Sequence, residues 1–145
     1  MKISPGLFSN MSHDLSSTVP RRLSVNQAKD CLTIDYAGDV RHPLPAEYLR
    51  VHSPSAEVRG HGKGQEVLQF GKRLVCIDSI SKSGNYAIQI FFSDGHDSGI
   101  FTWDYLYDLG ANYDSRWATY LECLNQAGQS RDPDTQIVKL VQASD

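Results

Sequence analysis

Three histidines and three acids offer the clearest chemistry in this 145-residue chain. His52, His61 and His96, together with Glu57, Asp94 and Asp97, supply the nitrogen and oxygen donors that iron or zinc accept. His96 lies between Asp94 and Asp97, whereas His52 and His61 lie far upstream. No two of these histidines have the close spacing of a metal clip, so their convergence depends on the fold. Two readings stand. In one, His96 with His61 or His52 and Asp94 or Asp97 holds a metal or a small anion. In the other, Asp94 and Gly95 simply make a turn, His96 bonds locally, and the remaining histidines are solvated.

Nucleophilic chemistry has less to build on. Cys31, Cys76 and Cys123 are odd in number and scattered, so they form neither a disulfide framework nor a CxxC clip. Their pattern points to a reducing, cytoplasmic setting. A reactive cysteine needs a lowered pKa and a neighbouring base, and none of the three has a local signature for that. There is no GxSxG elbow and no dinucleotide fingerprint. The run Gly60 to Gly64 resembles a phosphate cradle but lacks the preceding strand and the Ser/Thr. The expectation is a non-enzyme; an enzyme built on Cys76 or a metal-bound water is the third reading.

Charge is distributed unevenly behind a formal net of -3. From Arg50 to Arg73 basic residues dominate (Arg50, Arg59, Lys63, Lys72, Arg73), and from Asp94 onward acids do. The basic middle could meet an anionic partner or form a solvated loop. Arg50, Glu57, Arg59 and Lys63 are its candidate partner-facing residues. Nucleic acid is not expected, because no aromatics interleave with the basic residues between Val51 and Lys63. No stretch approaches the roughly 18 apolar residues of a membrane span, and the N-terminus lacks the apolar core of a secretory signal.

Several elements must position these groups. An Asp-Gly pair between apolar runs signals a tight hairpin, here at Asp94-Gly95. That turn pairs Ser93 with His96, Phe92 with Asp97, Ile88 with Phe101 and Tyr86 with Trp103. Tyr86, Ile88, Ile90, Phe92, Phe101 and Trp103 then share an apolar face, and His96 points to solvent on the other. Gly95→Val is therefore expected to cost more stability than His96→Ala. Upstream, CLTIDY alternates as a half-buried strand from Cys31 to Tyr36, and Ala37-Gly38-Asp39 turns the chain. A short helix starts at Pro45. Ser53 to Gly71 is an irregular loop with a helical turn over Ala56 to Arg59.

Leu74 to Ile80 reads as a strand, and Asp104 to Leu109 as a short helix closed by Gly110. Trp117, Tyr120, Leu121 and Leu124 mark a final amphipathic helix ending near Gly128. The expected fold class is α+β: a small antiparallel sheet, short helices and a C-terminal amphipathic helix. The domain is expected over residues 23–128, after a disordered leader at 1–22 and before a tail at 129–145.

The motifs Leu49-Arg50, SPSAEVRGHG (Ser53 to Gly62), GNYA (Gly84 to Ala87) and SDGHDSGIFTWDYL (Ser93 to Leu106) occur in that order. Together they resemble the gamma-butyrobetaine hydroxylase-like N-terminal domain family, over about Leu32 to Gly110. The resemblance implies a small α+β unit, which in the hydroxylases precedes an oxygenase domain and carries structural zinc on three cysteines and one histidine. The histidine corresponds to His96; the cysteine positions hold Ser53, Ser55 and Val58. Hydroxyls are poor zinc ligands beside thiolates and valine cannot ligate, so that zinc site is expected to be absent. No oxygenase domain is expected either, because few residues follow Gly110.

The family's attachment to iron–sulfur carrier ATPases implies an iron-related role by association. With no catalytic constellation beside a long loop and a hairpin site, the expectation is a stand-alone bacterial domain that binds a protein partner, in iron or iron–sulfur handling. Without the zinc clip, other forces must order the Ser53–Gly62 loop. Arg50 or Arg59 is expected to pair with Glu57 or Asp94, and Val58 to turn inward.

Overall fold

A computed structural model describes residues 18–60 and 64–133 of the chain. His61, Lys63, most of the expected leader and residues 134–145 of the expected tail lie outside the described residues. Among those described, six strands and four α-helices follow one another in blocks, three strands then two helices, twice over, in the α+β manner expected. The strands form two antiparallel sheets of three, rather than one.

The first sheet runs in the order β1 (Arg22–Val25), β2 (Cys31–Tyr36), β3 (Val40–Pro45). In β2 the alternation holds: Leu32, Ile34 and Tyr36 are buried, and Cys31 is half-buried on the other face. The sequence pattern missed β3 because Pro43 and Pro45 interrupt it. A proline has no N–H for the ladder, so such a strand belongs at a sheet edge, and β3 lies at one, pairing only with β2. The second sheet runs β4 (Ile77–Ser83), β5 (Ala87–Phe92), β6 (Ile100–Thr102). β4 starts at Ile77 instead of Leu74, since Arg73 and Leu74 form a turn and Leu74 is exposed. Tyr86 is also exposed, contrary to its expected place on the apolar face, because it belongs to the Gly84–Tyr86 turn.

Ile88, Ile90, Phe92, Phe101 and Trp103 are buried as expected. They pack with Leu32, Ile34, Leu44, Tyr48 and Leu49 of the first sheet and its following helix into one core. That helix, α1 (Ala46–Val51), is buried at all six positions and takes Pro45 as its N-cap. The expected turn of helix is α2 (Ala56–Arg59). α3 (Trp103–Ala111) starts with the Thr102 hydroxyl accepting from the Tyr105 N–H. The fourth helix, α4 (Tyr113–Ala127), closes at Gly128 in the left-handed conformation. On α4, Tyr120 and Leu124 are buried but Leu121 is exposed, so the apolar stripe is narrower than its spacing suggests. This helix covers a small second cluster around Val51 with Tyr120 and Leu124, while Tyr113 and Trp117 pack against the main core.

Gly110 does not end α3; it sits inside it. A side chain there would place its Cβ 2.2 Å from His42 Nδ1 and 2.8 Å from His42 Cβ. The bare glycine is what lets α3 lie against β3. Alanine usually favours a helix interior over glycine by about 1 kcal/mol, but here overpacking should dominate. Gly110→Ala is expected to lose roughly 1–3 kcal/mol in urea denaturation; a gain would contradict this packing.

Candidate functional site

The turn after β5 decides where the chemistry lies. The Gly95 N–H donates to the Phe92 carbonyl and the Phe92 N–H to the His96 carbonyl, both at 3.0 Å. The connection is therefore Ser93-Asp94-Gly95, with Gly95 at a φ of 90°, a three-residue loop in place of the expected two. Farther along, Ile88 faces Phe101 and the Trp103 N–H donates to Tyr86, as expected. The chain thus holds one residue more between His96 and Phe101 than between Ile88 and Phe92. A slip of one residue moves a side chain to the other face. His96 falls on the side of Phe92, with ring centroids 6.0 Å apart, and is only 6% exposed. The expected solvent-facing histidine is a buried one.

Around that ring, two distant segments close. His96 Nε2 lies 2.8 Å from Ser53 Oγ and 3.4 Å from Ser55 Oγ; His96 Nδ1 lies 2.9 Å from Glu57 Oε1. A carboxylate only accepts, so Nδ1 carries the proton and donates to Glu57, which leaves Nε2 to accept from the Ser53 hydroxyl. Burial lowers the His96 pKa, and the Arg50 charge lowers it further, against the opposing pull of Glu57 and Asp94. The Glu57 side chain is largely solvated, so its attraction is screened and the imidazole is neutral at pH 7. Gly99 completes the approach, since a Cβ there would meet Ser53 Oγ at 2.4 Å.

Alongside lies an ionic knot. Asp94 Oδ2 accepts from Arg50 Nε at 2.9 Å and from Lys72 Nζ at 2.8 Å. Burial raises the Asp94 pKa, but the Lys72 bond and the Arg50 charge outweigh it and hold the carboxyl below its usual range. Arg50 also donates to Gln69 Oε1. The expected pairing of Arg50 with Asp94 is present, and Val58 is buried as expected. Arg50 itself, read as partner-facing, is instead buried at the end of α1. Gln69 and Lys72 carry no local signal in the sequence; only the fold brings them here.

The remaining candidates lie elsewhere. His52 Nδ1–H donates to the Tyr48 carbonyl at 2.9 Å, and burial lowers its pKa. Asp97 is exposed, and its carbonyl accepts from Gln89. Arg59 lies over the Tyr105 ring at 5.1 Å. The described residues hold no group of three or more His, Cys, Asp or Glu side chains placed to grip a metal. The zinc implied by the resemblance does not fit: His96 Nε2, the only nitrogen left to ligate, already accepts from Ser53, and Val58 packs inward as a hydrocarbon.

Serine, histidine and glutamate in this order have the connectivity of a nucleophile, a base and its orienting acid. Ser53 is 1% exposed, however, and is covered by Gly99. The arrangement ties two distant segments to each other.

The model of the family described as "Gamma-butyrobetaine hydroxylase-like, N-terminal" matches residues 23–107. A protein solved by solution NMR is 52% identical, with 80% of this chain and 91% of that one covered and a TM-score of 0.70. A second NMR structure is 41% identical, with 79% and 85% covered and a TM-score of 0.67. A crystal structure of a protein of unknown function from Acidithiobacillus ferrooxidans is 33% identical, covering 66% of this chain and 97% of that one, with a TM-score of 0.55. Among curated proteins nothing matches.

Burial reverses the expected ranking at the turn. His96→Ala strands Ser53 and opens a void, and is expected to cost about 2–4 kcal/mol, against roughly 1–3 for Gly95→Val. Urea melts of both variants check this. The pH dependence follows from the lowered pKa values of His96, His52 and His42. As acid is added the unfolded chain protonates first, so these groups' stability is complete above about pH 6.5. It is lost as pH falls from there towards the folded-state values. A melting temperature that rises between pH 7.5 and 5.5 would contradict it.

Proposed function

The chain belongs to the gamma-butyrobetaine hydroxylase-like N-terminal family, and on that premise we propose that it is a non-catalytic domain that docks a protein partner through the segment Val67 to Leu74. One observation carries the reading. Val67, Phe70 and Leu74 are 51%, 42% and 71% exposed, yet their backbone is firmly held. Val67 N–H donates to the Val58 carbonyl, Gly71 N–H to Ser130 and Arg73 N–H to Arg131. The Tyr120 hydroxyl donates to the Gln69 carbonyl. Holding an irregular segment costs conformational entropy. A rigid segment with three apolar side chains in water is what a partner surface requires.

Support for a non-catalytic role comes from the burial of Ser53 and from the self-contained bonding of His96, Asp94 and Arg50. The odd, scattered cysteines support a cytoplasmic setting, and the family resemblance supports a partner in iron or iron–sulfur handling. Under this reading neither iron nor zinc is held by His96, so untagged protein is expected to purify with substoichiometric iron and zinc and to melt unchanged when either is added.

A photo-crosslinking residue at position 70 or 74 tests the docking segment in cells. A discrete adduct with a different protein is expected, absent when the crosslinker sits at Ser81 on β4, and lost in Phe70→Asp or Leu74→Asp. Both substitutions are on the surface and should change stability by less than about 0.5 kcal/mol. Adducts of equal yield from position 81 would overturn the assignment.

A further inference from the structure

Beyond the docking segment, the molecule has a cleft of about 730 Å³ between residues 51–59 and 66–69 on one side and α4 on the other. We propose that this cleft binds a small monocarboxylate with a flat apolar body, its carboxylate gripped by Arg59. The volume falls in the range that encloses small organic ligands. Val51, Val58, Leu68 and the rings of Tyr105 and Tyr120 give the lining its apolar character. Both tyrosine hydroxyls are already spent, Tyr105 on the His52 carbonyl and Tyr120 on Gln69, so the rings offer faces rather than donors.

The charges set the ligand's sign. Two guanidinium groups lie against one ring: Arg59 at 5.1 Å and Arg116 at 5.9 Å from the Tyr105 centroid. Gathering like charges is unfavourable unless each finds an anion. Arg116 has one, since it bonds to Asp108. Arg59 has no carboxylate within ion-pair distance among the described residues, although Glu57 is two residues away and Glu66 lines the same cleft. Among the described residues its fork of donors meets no acceptor, which suits it to a planar anion. Two neighbouring groups narrow the choice. His52 is neutral at pH 7, its pKa lowered by burial, and adds no positive charge. Glu66 disfavours a multiply charged anion such as phosphate. A single carboxylate on an apolar body satisfies all of these conditions.

Naphthalene-2-carboxylate is the probe, followed by NMR titration of the full chain at pH 7. The expected result is saturable shifts centred on Arg59, Tyr105, Thr119 and Tyr120. Binding should weaken at least tenfold in Arg59→Gln and with naphthalene-2-carboxamide, a loss that corresponds to about 1.4 kcal/mol. Arg59 is exposed, so Arg59→Gln should melt with the parent protein, and a matched melt shows that the loss is one of binding. Inorganic phosphate should give no saturable shift at these residues. Equal affinity for acid and amide, unchanged binding in Arg59→Gln, phosphate binding as tight as the carboxylate, or shifts centred elsewhere would each overturn the proposal. Loss of the crosslink at Leu74 bears on the docking segment and leaves this site standing.

Discussion

The His96 ring is the constraint on which the rest of this structure depends. It joins a turn after β5 to a loop some forty residues earlier through one bond at each nitrogen, to Ser53 and to Glu57. A neutral imidazole is well suited to this, because it donates from one nitrogen while it accepts at the other. Burying it requires the one-residue slip in the hairpin, the bare Gly99 against Ser53, and the inward turn of Val58. Arg50, Asp94 and Lys72 brace the same junction from the side, and Gln69 extends the brace into the segment that lines the cleft. A buried ionic group left without its partner is costly. These contacts therefore stand or fall together, and with them the placement of residues 53–60 and of Gln69.

What was legible in the sequence follows from how local each signal is. The alternation in CLTIDY and the stripe on the last helix are written within a few residues, and both elements formed. The far half of the hairpin register was also legible, since Ile88 does face Phe101. The near half was not, because Asp-Gly serves two-residue and three-residue turns alike and a difference of one residue inverts the face. β3 was hidden by prolines whose edge position only the finished sheet reveals. Gly110 read as a helix stop because its role, contact with His42 of another element, has no signature along the chain. The site divides in the same way. Ser53, Ser55, Val58 and His96 could be singled out by resemblance, and Arg50 with Asp94 by charge. Gln69 and Lys72 could not be.

The resemblance also shows what was exchanged. At positions where it implies thiolates around zinc, this chain has two hydroxyls and a valine. Metal coordination by thiolates is strong enough to fold small domains by itself, whereas each neutral hydrogen bond contributes about 1 kcal/mol net. Several weaker interactions must share the work: the imidazole bonds, the Asp94 knot and the buried Val58, which contributes about 1.5–3 kcal/mol if fully desolvated. The segment from Val67 to Leu74, tied at its backbone to Val58, Tyr120, Ser130 and Arg131, leaves Val67, Phe70 and Leu74 exposed. On the proposed reading, function resides in what that segment presents, and the histidine holds its start in place.

Nitrogen NMR of the His96 ring measures this most directly. At pH 7 the account requires a neutral imidazole with its proton on Nδ1 and an accepting Nε2, and this state should persist when excess zinc is added. An imidazolium at pH 7, a proton on Nε2, or a shift of Nε2 to a metal-bound value with one equivalent of zinc would contradict it.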